Sequence, residues 1–229
     1  MNDVRGHGTG GHGKDRTWQR FSRDGVVSVL PALIPFAVAM VGSPGPNNTM
    51  LTASGATFGL RRTVPHAMGV AIGFPAMMVA IGLGAGPILV ADPVVHRWLV
   101  WIGAAYMAWL AWRVATARRP DAHGKTGDKT GRSRPMTFFE AVLFQWVNPK
   151  AWVIAAAAIG TFVDPASSLW LQIGMIAAVF VVIDVPIASA WAGIGSGVGS
   201  LLRSERQFRA FNLAMAALLA LSIVLLFYE

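Results

Sequence analysis

Proline, asparagine and lysine interrupt two of the apolar stretches of this chain. Ser43-Pro44-Gly45-Pro46-Asn47-Asn48 divides the first stretch, and Asn148-Pro149-Lys150 divides the fourth. Neither cluster suits an unbroken helix in lipid. Proline removes a backbone donor, and its ring clashes with the carbonyl one turn back. Asparagine and lysine are costly in hydrocarbon. Irregular backbone at membrane depth persists only where protein buries it or it meets a wet cavity. Two such breaks, one in each half of the chain, point to a solute site built from discontinuous helices.

The composition agrees. Of the 229 residues, 54% are hydrophobic and 13% charged, against about a quarter charged in soluble domains. Residues 67–90 contain no ionisable side chain, and that length gives about 36 Å of helix, enough for about 30 Å of hydrocarbon. The net charge of +8 would suggest nucleic acid in a soluble chain. Here the basic residues lie mainly in connections between apolar runs, which fits topology and anionic lipid head groups instead. There are no cysteines, so disulfides, thiolate metal sites and thiol redox chemistry are excluded. The five histidines form no metal-binding pattern. His7 and His12 sit in a glycine-rich tail that reads as solvated. No metal or cofactor is expected.

The fold class expected is an all-α integral membrane protein of about six hydrophobic helices. They would form two three-helix inverted repeats, with helices 1 and 4 broken. Residues 1–24 read as a disordered basic tail that is not cleaved. Residues 25–115 form the first repeat, 116–136 a basic cytoplasmic loop, and 137–229 the second repeat. The apolar segments run at about 26–42 (continuing through the break to 58), 66–90, 94–115, 137–163, 169–192 and 209–228. Two topologies fit the lysine and arginine distribution. Six spans would put both termini outside; a re-entrant first segment would keep the tail in the cytoplasm. Gly69/Gly73, Gly82/Gly86 and Gly195/Gly199 are small residues four apart, suited to close helix packing. Trp98, Trp101, Trp109 and Trp112 lie near the ends of the third segment, as interfacial anchors do.

Several residues carry candidate chemistry. A helix restarting after Pro46 offers unpaired N–H groups and a positive dipole end, which suits a carboxylate. Asn47 and Asn48 both donate and accept, as recognition of a zwitterion needs. The competing reading is a plain turn outside the membrane. Lys150 has apolar sequence on both sides, about 20 Å along a helix starting at Thr137. A lysine that deep costs roughly 2.5–3.5 kcal/mol on insertion scales. A substrate carboxylate, carbonyls at the break or an acid would compensate. Asp184 is the one acid well inside an apolar run. Lys150 and Asp184 are expected to face one cavity, with one of them titrating; alternatively each snorkels or pairs locally. Gln145, Thr52 and Asn148 add neutral polar groups, with Pro44, Gly45 and Pro149 supplying the broken backbone. His66 reads as interfacial and Glu140 as a structural acid at a helix start.

These motifs resemble the LysE/RhtB family of bacterial amino-acid exporters. The likeness rests on Pro44-Gly45-Pro46-Asn47, Gly55, Phe58-Gly59-Leu60-Arg61, Gly69 and Gly73, then on Phe144 to Ala151 with its Asn148-Pro149-Lys150-Ala151. Trp101 to Trp112 resembles the family's third helix. The resemblance covers residues 26–228, and within the family it is nearest in appearance to the cysteine/O-acetylserine exporter branch. It implies secondary active export of amino acids or close derivatives, homoserine and threonine among them, across the bacterial cytoplasmic membrane in exchange for protons. The partners implied are an amino-acid substrate, protons and the bilayer, without nucleic acid; an oligomer is compatible. Pro44 to Asn48, Gln145 and Asn148 to Lys150 would hold the substrate, and Asp184 the ammonium or the coupling proton. No phosphate-binding loop of the Gly-x-x-x-x-Gly-Lys-Ser/Thr kind is present, and no catalytic constellation within the spans suggests an enzyme. The alternative is a channel or a non-transporting membrane protein.

Overall fold

The structure, a computed structural model, describes residues 28–85, 93–118 and 134–225. The expected tail, Gly86, most of the basic connection and the last four residues fall outside them. Among the described residues the chain is helical throughout, with α1 (Leu30–Gly42), α2 (Pro46–Phe58), α3 (Leu60–Ala80), α4 (Pro93–Ala115), α5 (Phe138–Phe144), α6 (Pro149–Phe162), α7 (Leu169–Leu201) and α8 (Glu205–Leu225). A π-helical turn, Ile81–Ala85, extends α3, and a 3-10 turn, Gln145–Val147, joins α5 to the second break.

Four of these helices are long and apolar enough to cross a membrane, and α5 with α6, apolar enough together but bent by 71°, form either a fifth, broken span or a re-entrant loop. The protein is an all-α membrane protein. The first broken element does not meet that test. Its first half, Leu30–Gly42, is apolar but short, and α2 carries Asn47, Asn48, Thr49, Thr52, Ser54 and Thr57. The fold resolves that polarity by placing α2 in the middle of the molecule, where Asn48 through Thr57 are all buried. Protein, rather than lipid, surrounds the helix too polar for lipid.

α2 and α7 touch backbone to backbone. A Cβ on Gly55 would collide with the Ala192 carbonyl, one on Gly195 with the Thr52 carbonyl, and one on Gly199 with the Ala56 carbonyl. Gly69 and Gly73 do the same for α3 against Phe138 and Val142 of α5. Small residues at helix crossings allow this closeness. The main core joins Leu33, Ala37 and Val41 of α1 to Phe74, Met77 and Met78 of α3, Ile154, Ala155 and Ala158 of α6, and Ile176 and Phe180 of α7.

Three boundaries and one side chain differ from the sequence expectation. α3 begins at Leu60, not near residue 66, because Gly59 takes a left-handed φ of 79° and turns the chain between α2 and α3. The Ser54 and Thr63 hydroxyls, 3.1 Å apart, tie that corner. α7 continues to Leu201 and α8 begins at Glu205, since helices extend beyond their apolar segment where polar residues meet head groups and water. His66 is not interfacial. It lies on the inward stripe of α3 with Thr63 and Val70, is 1% exposed, and neither ring nitrogen has a hydrogen-bond partner.

Candidate functional site

Both breaks follow from the same local rule. The residue before a proline is pushed out of helical geometry. Gly45, before Pro46, is fully extended at φ 176°, ψ −178°. Asn148, before Pro149, is extended at φ −91°, ψ 109°. Each proline then occupies a first-turn helix position, where its missing N–H costs nothing. Neither helix start has a side-chain cap, which leaves the first-turn amides of Asn47, Asn48 and Lys150 unclaimed by capping.

The fold brings the two breaks into contact. Lys150 Nζ donates to the Ser43 carbonyl at 2.7 Å, to Ser43 Oγ at 2.8 Å and to the Pro44 carbonyl at 3.4 Å. Asn47 Nδ2 donates to Gln145 Oε1 at 2.9 Å, and Gln145 Nε2 donates back to Asn47 Oδ1 at 3.3 Å. The buried Gln145 is anchored by a further bond from Nε2 to the Ala141 carbonyl at 2.8 Å. In both directions the residue after a helix-starting proline crosses to the turn before the other break. Gly45 makes room for this. A Cβ there would sit 2.7 Å from Lys150 Cδ and 3.2 Å from its Nζ.

Asn48 has a different local task. Its Nδ2 donates to the Val41 carbonyl at 2.7 Å and the Ser43 carbonyl at 2.8 Å, closing the C-terminal end of α1. Ser43 Oγ adds a bond to the Met40 carbonyl at 2.9 Å. The carbonyls that α1 leaves open are thereby satisfied inside the protein.

A cavity of about 30 Å3 lies between the breaks, lined by Gly45, Asn47, Asn48, Asn148, Lys150 and Asp184 together with Val41, Val70, Phe74, Ala151 and Ile154. That volume admits about one or two waters and is far below the roughly 300 Å3 at which ligand pockets begin, so the site in this conformation is too small for a solute. Asp184 reaches it because residues 173, 176, 177, 180, 184, 188 and 192 form the buried stripe of α7, and position 184 carries a carboxylate where its neighbours are apolar. Asp184 is 4% exposed. Asn148 is equally enclosed, and its Oδ1 has no hydrogen-bond partner.

The lining combines two kinds of group. Lys150 and two uncapped helix starts offer positive potential and donors. Asp184 and Asn148 Oδ1 offer acceptors. The residues expected to hold substrate or the coupling proton lie in this neighbourhood: Gly45, Asn47, Asn48, Asn148, Lys150 and Asp184 on the cavity wall, Pro44, Pro46, Gln145 and Pro149 in the turns that shape it. Sequence reasoning missed Ser43 as the acceptor for Lys150, and the apolar wall of Val41, Val70, Phe74, Ala151 and Ile154. Thr52, weighed as a polar contact, instead donates to the Asn48 carbonyl at 2.8 Å. Glu140 completes a capping box with Thr137 at the start of α5, and Arg134 Nη1 donates to it at 2.7 Å.

Comparison with known proteins identifies the family. Residues 38–229 match the LysE type translocator family. The cysteine/O-acetylserine efflux protein of Salmonella choleraesuis (strain SC-B67) is 30% identical over 207 residues, covering 87% of this chain and 98% of the relative. The protein of the same name from Escherichia coli (strain K12) is 27% identical over 201 residues, covering 88% and 98%. No solved structure matches the chain. A family match over that span, joined to a relative aligned along almost its whole length, settles the classification: the chain belongs to the LysE type translocators.

Proposed function

We propose that this protein is a secondary active exporter that carries amino acids or close derivatives across the bacterial cytoplasmic membrane in exchange for protons. The observation that carries the reading is the shared cavity, lined by residues of both helix starts together with Lys150 and Asp184. A zwitterion has the complementary groups. Its carboxylate matches Lys150 and the first-turn amides of α2 and α6. Its ammonium matches Asp184 and the unpartnered Asn148 Oδ1. Family membership and the efflux names of the relatives point the same way.

In this conformation the Ser43 and Pro44 carbonyls occupy Lys150. A substrate carboxylate competes with them for the ammonium, and taking it over unties α6 from the first break. The half-helices differ in how they are held. α2 is locked to α7 through glycine contacts between backbones, whereas α6 docks through side chains, a kind of contact across which packed helices can slide. α6 is therefore the half that swings, about the bend at Asn148. Asp184 cannot hold a proton and a substrate ammonium together. That exclusivity makes their fluxes opposed, as exchange requires.

The test is an export assay in proteoliposomes against a panel of amino acids, with and without an uncoupler. The wild type is expected to move a subset of the panel under an inward proton gradient. Lys150→Ala should lose transport, and Asp184→Asn should lose its response to the gradient. Flux indifferent to the uncoupler and to both substitutions would mean a passive channel.

A further inference from the structure

We infer that Phe74 sets the upper size limit of the transported solute and that the site takes an amino acid with a short, uncharged side chain. This rests on the exporter reading above and specifies its substrate class.

The cavity holds two ionic side chains among its lining residues, Lys150 and Asp184. The substrate's own carboxylate and ammonium engage both. A third charge on the substrate would then face Val41, Val70, Phe74, Ala151 and Ile154 without a counter-ion, at the cost that attends any unpaired charge away from water. That selects against long basic and acidic side chains.

Length is limited by a wall that cannot easily retreat. Phe74 is 2% exposed. Its ring meets Phe180 edge to face, with centroids 5.2 Å apart at 84°. Phe180 in turn meets Phe36 of α1 at 6.5 Å, also edge to face. The backbone under Phe74 is pinned as well. A Cβ on the preceding Gly73 would lie 2.7 Å from Val142 Cα, so α3 already presses on α5 at this level. Val70, one turn earlier on the same face, extends the wall. A rotamer change at Phe74 would disturb the rings of Phe180 on α7 and Phe36 on α1, neither of which belongs to α6, so the ring bounds the pocket even after α6 opens. Each methylene that a hydrophobic pocket accepts or rejects changes the rate by roughly 10- to 200-fold, so one ring is enough to set a preference.

The experiment measures counterflow in proteoliposomes for alanine, serine, leucine, phenylalanine and lysine, comparing wild type, Phe74→Leu and Phe74→Ala. The readout is the ratio of leucine to serine rates on each preparation, which does not depend on the fraction of protein folded. Phe139→Ala, a change at a 74% exposed ring on α5, is the control. Wild type should favour alanine and serine over leucine by at least tenfold and should not carry lysine. Phe74→Leu and then Phe74→Ala should raise the leucine-to-serine ratio stepwise, by tenfold or more for alanine, while Phe139→Ala leaves it alone. A ratio unchanged within twofold in both variants, or lysine carried by wild type as fast as serine, overturns the inference while leaving the exporter reading standing. Wild type carrying no amino acid at all overturns that reading, and this inference with it.

Discussion

Lys150 Nζ lies 2.7 Å from the carbonyl oxygen of Ser43, a residue 107 positions earlier in the chain. This contact joins two sites at which proline has broken a helix. It also answers how a lysine survives far inside an apolar segment. Its charge is met by the carbonyls that the other break leaves free. The reciprocal amide pair of Asn47 and Gln145 repeats the crossing in the opposite direction, so each break supplies what the other lacks.

The amide pair should behave as one unit. Asn47→Ala and Gln145→Ala, measured singly and together by thermal unfolding in detergent, should show a coupling energy of about 0.5–3 kcal/mol. Each single change strands the partner amide, so the second costs less than the first. Additivity to within about 0.3–0.5 kcal/mol would mean that the two side chains do not hold each other.

Gly45 should resist even the smallest enlargement. A methyl group there would sit 2.7 Å from Lys150 Cδ, which pushes the ammonium off Ser43 and Pro44. The backbone itself is extended and accepts alanine without strain. Gly45→Ala should therefore fold normally and transport several-fold more slowly. A normal unfolding temperature with wild-type transport would show that the position of Lys150 is not critical.

The α2–α7 interface separates two kinds of glycine within a few residues. Gly195→Val should lose about 1–3 kcal/mol or more of stability by overpacking, because its side chain would enter the Thr52 carbonyl. Gly193→Ala and Gly197→Ala point into open space and should leave the unfolding temperature unchanged. Equal sensitivity at the three positions would contradict the packing described.

Both breaks were legible in the sequence because no ordinary membrane helix explains proline beside asparagine, joined in the second break by lysine. Asp184 was legible for the same reason, as the one acid deep in an apolar run. Helix ends were harder. Arg61 and Arg62 mark where hydrocarbon ends, but the helix itself starts at Leu60, just after the Gly59 turn, and a change of polarity is not a change of backbone. His66 was misplaced because Pro65 and two arginines precede it. The spacing of Thr63, His66 and Val70 was the better signal, since it places the ring on the inward stripe. The cavity's apolar wall could not be read at all. Val70 and Phe74 sit on a helix apolar on most faces, and only packing against α5 and α7 decides which face meets the breaks.

His66 yields a prediction of the opposite sign from most core changes. Its two ring nitrogens are buried without partners, and a stranded polar group costs about 1–3 kcal/mol. His66→Leu should keep or raise the unfolding temperature and leave transport intact. A clear drop would reveal a partner that the ring depends on.

The account stands on the claim that Lys150 binds solute at the meeting point of the two breaks. The direct measurement is counterflow of labelled serine and alanine by purified wild type and Lys150→Met in proteoliposomes, with matched unfolding temperatures. Methionine keeps the length of the side chain and removes the ammonium. The expected result is a loss of at least tenfold in exchange rate with the protein still folded. Exchange by Lys150→Met at the wild-type rate would contradict it.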